Sequence, residues 1–435
     1  MNCHRAASVL LAAGLLLLWR PAYAVDSAAP ALTLDDYFAA ALKRSEVVAT
    51  QTELIRQAEE RAKQASSALL PTVNGVASYT WQEPLPSGTA ITSNTLLDRQ
   101  PLAKLTATQP LFRGFREFAA LRQTQALLGA QSDDYQQARV QLFKDVALNF
   151  YSVLSSEQDI ANLDEEIRQN QVREKDLRER VRIGRSRSSE LLTVQSTIST
   201  LRAQREQLLG QLSITRESLA FLSGLDATTA LRDSEVVPPT LEPLTEYLAR
   251  VEHRPDVQAG KKRLAAGQEN VAVARGAHLP SLDLNGNYYL DRPGNLKDVT
   301  WDVQLALSVP IFAGGSLQSK EREAQSQRTQ AELNLEQVRR QAQQEIRSLH
   351  QSVLFDQSQL LALETATEIA KKNYAAQNRD YRLGLVTNLD VNQALTAYLE
   401  NQRAADRVRF ATKLDYLKLQ AATLQRPGLQ ADVTP

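Results

Sequence analysis

The chain has 435 residues, with 50 basic against 50 acidic side chains and a single cysteine, Cys3. The even charge argues against nucleic acid as a partner. Residues 1–24 read as a secretory signal, with Arg5, an apolar run over 6–19 and the small-residue cleavage site Ala22-Tyr23-Ala24. Its removal takes Cys3, Arg5 and Arg20 and leaves 48 basic against 50 acidic residues. The mature chain then has no means to form a disulfide, a thiolate metal site or a thiol nucleophile. Beyond the leader no apolar run approaches the ~20 residues of a membrane helix, so any passage through a bilayer falls to strands.

In chain order the mature sequence reads as one pattern made twice. In the first repeat, residues 25–223, a helix covers 34–69, with Thr33 as N-cap and Asp35 and Asp36 in the first turn. Leu70-Pro71 ends it. Strands follow at 72–81 and 102–112, separated by a loop with Pro84, Pro86 and Gly88. A long helix spans 115–183, Gly184 breaks it, and a return helix spans 189–222. A Pro- and Thr-rich linker, 224–243, leads to the second repeat, 244–424. There Arg254-Pro255-Asp256 opens a helix, Leu279-Pro280 ends it, and strands lie at 281–290 and 300–312. The second long helix is 316–383 and its return helix 389–424. Residues 425–435 are expected to be a flexible tail. Each long helix is about 100 Å long at 1.5 Å per residue. Ala331, Leu335, Val338, Ala342, Ile346, Leu349 and Val353 recur at alternating spacings of three and four, a coiled-coil-like stripe.

The strands alternate. Trp301, Val303, Leu305, Leu307, Val309 and Ile311 fall on one side, and Asp302, Gln304, Ala306 and Ser308 on the other. Val73, Ala77, Tyr79 and Trp81, and Leu282, Leu284, Tyr288 and Leu290, form similar apolar faces. The strand at 102–112 is less regular, since Lys104 and Gln109 blur it. Strands of about ten residues suit an outer-membrane barrel wall. Trp81 and Trp301 lie at the loop-facing ends, where interfacial aromatics are favoured. A soluble β-sandwich inside a secreted or periplasmic coiled-coil structural protein would produce the same alternation. Four strands cannot close a barrel in lipid alone, so the membrane reading requires a ring of copies, with twelve strands from three.

No residues form a catalytic pattern. His253, His278 and His350 lack metal-ligand spacing, and no phosphate loop or nucleophile elbow is present. No metal or other cofactor and no enzymatic activity are expected.

Four features coincide with a known family. These are the doubled Leu-Pro before a strand, the Thr108-Gln-Pro110-Leu-Phe112-Arg-Gly114 and Ser308-Val-Pro310-Ile-Phe312-Ala-Gly314 junctions, the His253-Arg-Pro-Asp256 opening, and Tyr381-Arg-Leu-Gly384-Leu-Val-Thr-Asn-Leu-Asp390. Over nearly all its mature length the chain resembles the TolC-type outer-membrane efflux proteins. The resemblance implies a mostly α fold with a membrane β-barrel portion. Long antiparallel helical hairpins would form an α-barrel tunnel, and four strands per chain would contribute to a trimeric 12-stranded barrel. It also implies the outer membrane of a Gram-negative bacterium as location. The homotrimer would contact outer-membrane lipid, a periplasmic adaptor (membrane fusion) protein and an inner-membrane pump of RND, ABC or MFS type, as the exit duct for efflux or type I secretion.

The same resemblance places a periplasmic gate at the second turn. Asp390 is its candidate carboxylate, Tyr381 a bridging residue and Glu190 the acidic partner from the first repeat. Gln393 stands where relatives can carry a second acid, and Val386 where a basic bridging residue can occur. Residue chemistry alone also allows Asp390 to be an N-cap for the return helix. The turn residues Gly184, Arg185, Gly384, Val386 and Thr387 are the implied adaptor-docking tips. Arg178, Arg180, Arg182, Arg185 and Arg187 either join that surface or form a solvated helix end balanced by Glu174, Asp176 and Glu179. Pro110, Gly114, Pro310 and Gly314 are the joints where barrel wall would become tunnel wall.

Overall fold

A computed structural model describes residues 31–83 and 99–429. The signal and most of the first strand–strand loop lie outside the described residues. In order, α1 is Leu34–Arg44, α2 Glu46–Ser67, β1 Thr72–Trp81, β2 Arg99–Arg113, α3 Arg116–Arg182 and α4 Ser188–Ser223. The second half has α5 Leu244–Ala249, α6 Pro255–Gly276, β3 Ser281–Asp291, β4 Trp301–Ser308, α7 Ser316–Leu383 and α8 Asn388–Ala422. The halves match closely: α2 and α6 have 22 residues each, and α3 and α7 have 67 and 68.

The first helix is two helices. Ser45, extended at ψ 111°, closes α1 and caps α2 by accepting from the Val48 amide at 3.3 Å. One serine serving both ends is the reason the expected 34–69 helix bends. Thr33 and Asp36 form a reciprocal capping box at the start of α1, at 3.4 and 2.9 Å.

The strands form one antiparallel sheet in the order β1-β2-β3-β4. Direct partners share a face, so the register sorts the irregular β2. Lys104, Thr106 and Thr108 stand with Asn287 and Asn285, while Leu105 and Ala107 stand with Tyr288 and Gly286. β2 reaches three residues further at its start than the expected 102–112, where Arg99 pairs with Trp81. β4 stops at Ser308, short of the expected 312. Ser308 pairs with Ser281, the first residue of β3, and β4 has no neighbour on its other edge. The apolar face is uncovered: Val73, Trp81, Trp301, Val303, Leu305 and Leu307 are all exposed. Among the described residues no second sheet packs on it, so the β-sandwich is not what these strands build.

The core lies at mid-length of the helices. Tyr37, Phe38, Phe143, Phe150, Tyr151, Leu219 and Leu417 form one cluster, and Tyr247, Val257, Leu335, Ile346 and Leu419 another. Of the expected α7 stripe, Leu335, Ala342, Ile346 and Val353 are buried. Arg254, from the His-Arg-Pro-Asp motif, is 5 % exposed. It pairs with Asp256 and Glu345 at 2.8 Å each and donates to the Ala422 carbonyl at 3.3 Å. One guanidinium thus ties the starts of α6, mid-α7 and the end of α8. The tail departs from expectation at its start. Arg426 pairs with Asp35 and Glu235, and Leu429 is buried in the first cluster.

Candidate functional site

The two long hairpins, α3–α4 and α7–α8, end in turns of one backbone design. Gly184 and Gly384 have φ of +74° and +77°, a left-handed conformation that glycine adopts without Cβ strain. The next residue reaches back in each case: the Arg185 amide to the Arg180 carbonyl at 2.7 Å, and the Leu385 amide to the Asp380 carbonyl at 2.9 Å.

Their caps differ. At the second tip Thr387 is the N-cap of α8. Its hydroxyl accepts from the Asp390 amide at 3.4 Å and donates to the Asp390 carboxylate at 2.6 Å, and that carboxylate accepts from the Thr387 amide at 2.8 Å. Asp390 is therefore the third residue of a capping box and not the N-cap; Thr387, three positions earlier, is the signal that identifies it. The bonds from the Thr387 hydroxyl and backbone hold the Asp390 carboxyl below the usual carboxylate range. At the first tip Arg187 supplies no side-chain cap, and Glu190 accepts from the Ser186 hydroxyl at 2.7 Å. Glu190 and Asp390 are each occupied within their own turns. Gln393 is exposed, Val386 half-buried, and Arg185, Gly184 and Gly384 exposed.

Tyr381 reaches across the hairpins. The Arg180 guanidinium of α3 lies 4.5 Å from its ring centroid, a cation–π distance. Seven residues earlier, two turns along α3, Arg173 donates to the Asn388 side-chain oxygen at 2.8 Å and to the Asn388 carbonyl at 3.3 Å. Asn388 is buried at the start of α8. These two contacts hold the second tip against the first hairpin, and Arg173 carries no motif that sequence reading could have found. Three of the tip arginines are paired along α3: Arg178 with Glu174, Arg180 with Asp176 and Arg182 with Glu179. Arg185 and Arg187 have no ion pair among the described residues.

Above the tips the α3–α8 seam is polar. Asp159 pairs with Arg407 at 2.8 Å, Asn162 donates to Asp406 at 2.9 Å, and Arg403 lies 3.3 Å from Glu166. Burial pushes the Glu166 carboxyl up, with Arg403 opposing. Within the first hairpin Leu177, Val194 and Ile198 form an apolar cluster, while Arg205–Asp164 and Arg216–Glu157 pair its two arms further along.

At the other end are the joints. Gly114 and Phe115 (φ +68° and +59°) turn β2 into α3, and Gly314 and Gly315 (φ +59° and +80°) turn the β4 segment into α7. A Cβ on Gly114 would lie 2.2 Å from the Gly276 carbonyl oxygen, so only glycine admits the close approach of α6. Pro110 sits beside a register shift in β2, and Pro310 lies beyond the end of β4. On the apolar sheet face, Trp81 packs edge-on to Tyr79 at 5.1 Å, and Trp301 faces Tyr288 in register. The apolar face thus carries two aromatic pairs toward its loop-facing end, one on β1 and one across β3 and β4. The opposite face carries a side-chain network. Asn287 accepts from Lys104 and Thr106 at 3.0 and 2.9 Å and donates to Asp302, which also accepts from Tyr289 at 2.9 Å. One face suits lipid and the other water.

The family profile of the outer membrane efflux proteins matches residues 39–225 and 249–423, most of the chain and both hairpins. The chain belongs to the outer membrane efflux protein family. Outer membrane protein TolC of Escherichia coli K12 is 23 % identical over 394 residues, covering 86 % of this chain and 78 % of that protein. TolC of Vibrio cholerae is 26 % identical over 163 residues, 36 % of this chain and 37 % of its own. Among solved structures, the outer membrane protein VceC of Vibrio cholerae aligns with a TM-score of 0.79 at 20 % identity, over 90 % of this chain and 95 % of its own. The outer-membrane channel OprN aligns with a TM-score of 0.79 at 19 % identity, over 90 % and 89 %. The efflux family accounts for the mixed fold, and the protein is an outer-membrane efflux channel protein of the Gram-negative type. It belongs to a family of channels and not of enzymes.

Proposed function

We propose that three copies of this chain close a 12-stranded β-barrel in the outer membrane and continue it as a helical tunnel into the periplasm. The duct receives substrates from a periplasmic adaptor and an inner-membrane pump of RND, ABC or MFS type and passes them to the exterior. What supports this is the sheet. Its alternating apolar face is exposed along its length, ends in aromatics, and has two unpaired edges. Lipid does not tolerate unpaired edges, so the strands must close with other copies. The test is reconstitution of the full chain in planar bilayers, with heated and unheated gels of isolated outer membranes. Stepwise conductance and a heat-labile trimer band are expected; a protein found wholly in the soluble periplasmic fraction would sink the duct.

Within that duct the second tip is the gate element. Tyr381 and the Asp390–Thr387 box lie on the hairpin that Arg173 and Arg180 hold, so the closed state depends on α3 keeping this tip in place. With Gln393 uncharged, Asp390 is the carboxylate that favours cations at the aperture. The exposed Arg185, Thr387 and Gly384 and the half-buried Val386 form the face open to the adaptor.

A further inference from the structure

The side of α3 that meets α8 carries a polar stripe. Asp159, Asn162, Glu166, Asn170 and Arg173 follow one another at spacings of three and four, so they share one side of the helix. Four of the five are matched from α8: Asp159 by Arg407, Asn162 by Asp406, Glu166 by Arg403 and Arg173 by Asn388. The step at Glu166 and Asn170 is incomplete. These two residues are 4 % and 2 % exposed. Arg403 lies 3.3 Å from Glu166 Oε2 without forming a hydrogen bond to it. The Asn170 amide donates to the Glu166 carbonyl at 2.9 Å, while Asn170 Oδ1 accepts nothing. Among the described residues no donor reaches either side-chain oxygen.

Two buried acceptors, one helical turn apart on one face, thus lack a donor, and protein interiors seldom leave such groups so. A proton supplies one. A neutral Glu166 carboxyl carries an O–H, and Asn170, four residues on, offers the acceptor. The surroundings favour that neutral form. Burial is the largest influence on the carboxyl, with Arg403 opposing and Glu400 assisting, both from α8. Along α3 the residues one turn away, Asn162, Leu163, Gln169 and Asn170, are uncharged. α4 brings Leu201 and Leu208 to Leu163 and Ile167, and its Arg205 is held by Asp164. A charged carboxylate here gains hydration only when α8 moves away, whereas a protonated one loses nothing by staying covered.

We propose that Glu166 and Asn170 form a proton-operated latch between the two hairpins. A proton taken up by Glu166 in a mildly acidic periplasm closes the α3–α8 seam, and its loss at neutral pH loosens it. The closed seam binds the proton more tightly than the open one, so by linkage acid favours closure. α8 begins at the second tip, so the seam sets how firmly that tip is held. This rests on the duct and gate proposed above and adds that proton concentration biases the gate.

The test uses the full chain in planar bilayers and in detergent. Closed-state conductance and hydrogen exchange along 159–170, corrected for the intrinsic rate, are followed from pH 7 to pH 5. One titrating group shifts an equilibrium by at most about tenfold per pH unit, so a several-fold change is the size to look for. Conductance should fall and protection rise on acidification. Glu166→Gln supplies a neutral side chain with its own N–H donors; it should be acid-like at pH 7 and flat to pH 5 in both readouts. Asn170→Leu removes the acceptor and should shrink the response while keeping the heat-labile trimer band. Flat protection in the parent, or a parent-like pH response in Glu166→Gln, would overturn the latch. Protection that rises with acid and loses its response in Glu166→Gln, with conductance flat throughout, would support the proton switch in the seam and overturn the gate reading of the second tip.

Discussion

The two tips have the same turn and opposite surroundings. At Gly184 the turn joins solvated helix ends: Arg187 caps nothing through its side chain, Arg178 and Arg182 pair along their own helix, and Arg185 and Arg187 have no ion pair among the described residues. At Gly384 the cap is reciprocal, Asn388 is buried, and two arginines of α3 hold the turn from outside. One hairpin tip supports itself and the other is supported. A turn held by another element can be released without unfolding, which suits a gate; a self-contained turn suits a fixed rim.

The largest test of this contrast is Arg173→Ala. It removes two bonds from a guanidinium to Asn388, each of a kind worth roughly 1.5–3 kcal/mol. Closed-state conductance in planar bilayers should rise, whereas Arg187→Ala at the first tip should leave it unchanged. Equal behaviour of the two variants would break the contrast. Tyr381→Leu should raise the same conductance less, since a cation–π contact contributes about 0.5–2 kcal/mol. Tyr381→Phe keeps the ring over Arg180 and should stay close to the parent; a large effect would mean that the hydroxyl, and not the ring, is what matters. Smaller again is Thr387→Val, which costs the α8 start about 1 kcal/mol as a lost N-cap. Hydrogen exchange at the amides of 389–391 should speed up, while Ser186→Ala should change 189–191 little. Asp390→Asn should lower cation selectivity, and an unchanged current–voltage curve would remove it from the aperture.

Acidity separates the seam from the tip with the smallest effects. The Asp390 carboxyl is held below its ordinary value, so its contribution is present above about pH 3.9 and fades only as pH falls through the lower folded value. Exchange at the second tip should therefore be flat from pH 7 to 5 after correction for the intrinsic rate. Glu166 has the opposite sign. Its folded value is raised by burial, so the folded seam gains stability as pH falls from above that value toward the ordinary glutamate value of about 4.3. Protection along 159–170 that falls over this window would contradict the assignment.

The sheet was the most legible part, because a period of two declares a face whatever covers it. The doubled junctions and tip glycines were legible because their spacing is local. Ser45 was harder: a serine inside a helical pattern does not reveal that it ends one helix and starts another. The capping box is written in Thr387 and Asp390, three positions apart, whereas the carboxylate taken alone fits an N-cap at Asp390 as well. Arg173 on Asn388 and Arg180 on Tyr381 join positions about 200 residues apart, and only the packing of α3 on the second hairpin brings them together. The free edge of β4 has no strand beside it within the described chain, and no pattern in β4 itself says what would pair with it.

Because α3 and α7 differ by one residue in length, both tips finish at the same distance from the sheet. In the proposed duct the helices act as a ruler from the outer membrane toward whatever docks below. A seven-residue deletion in one hairpin, made in both of its arms, would shorten that ruler by about 10 Å on one side only. The end would become staggered, with a partner able to reach alternate tips at most. Removing the matching fourteen residues from the other hairpin as well would restore a level rim, closer to the outer membrane, at the cost of reach toward whatever docks below.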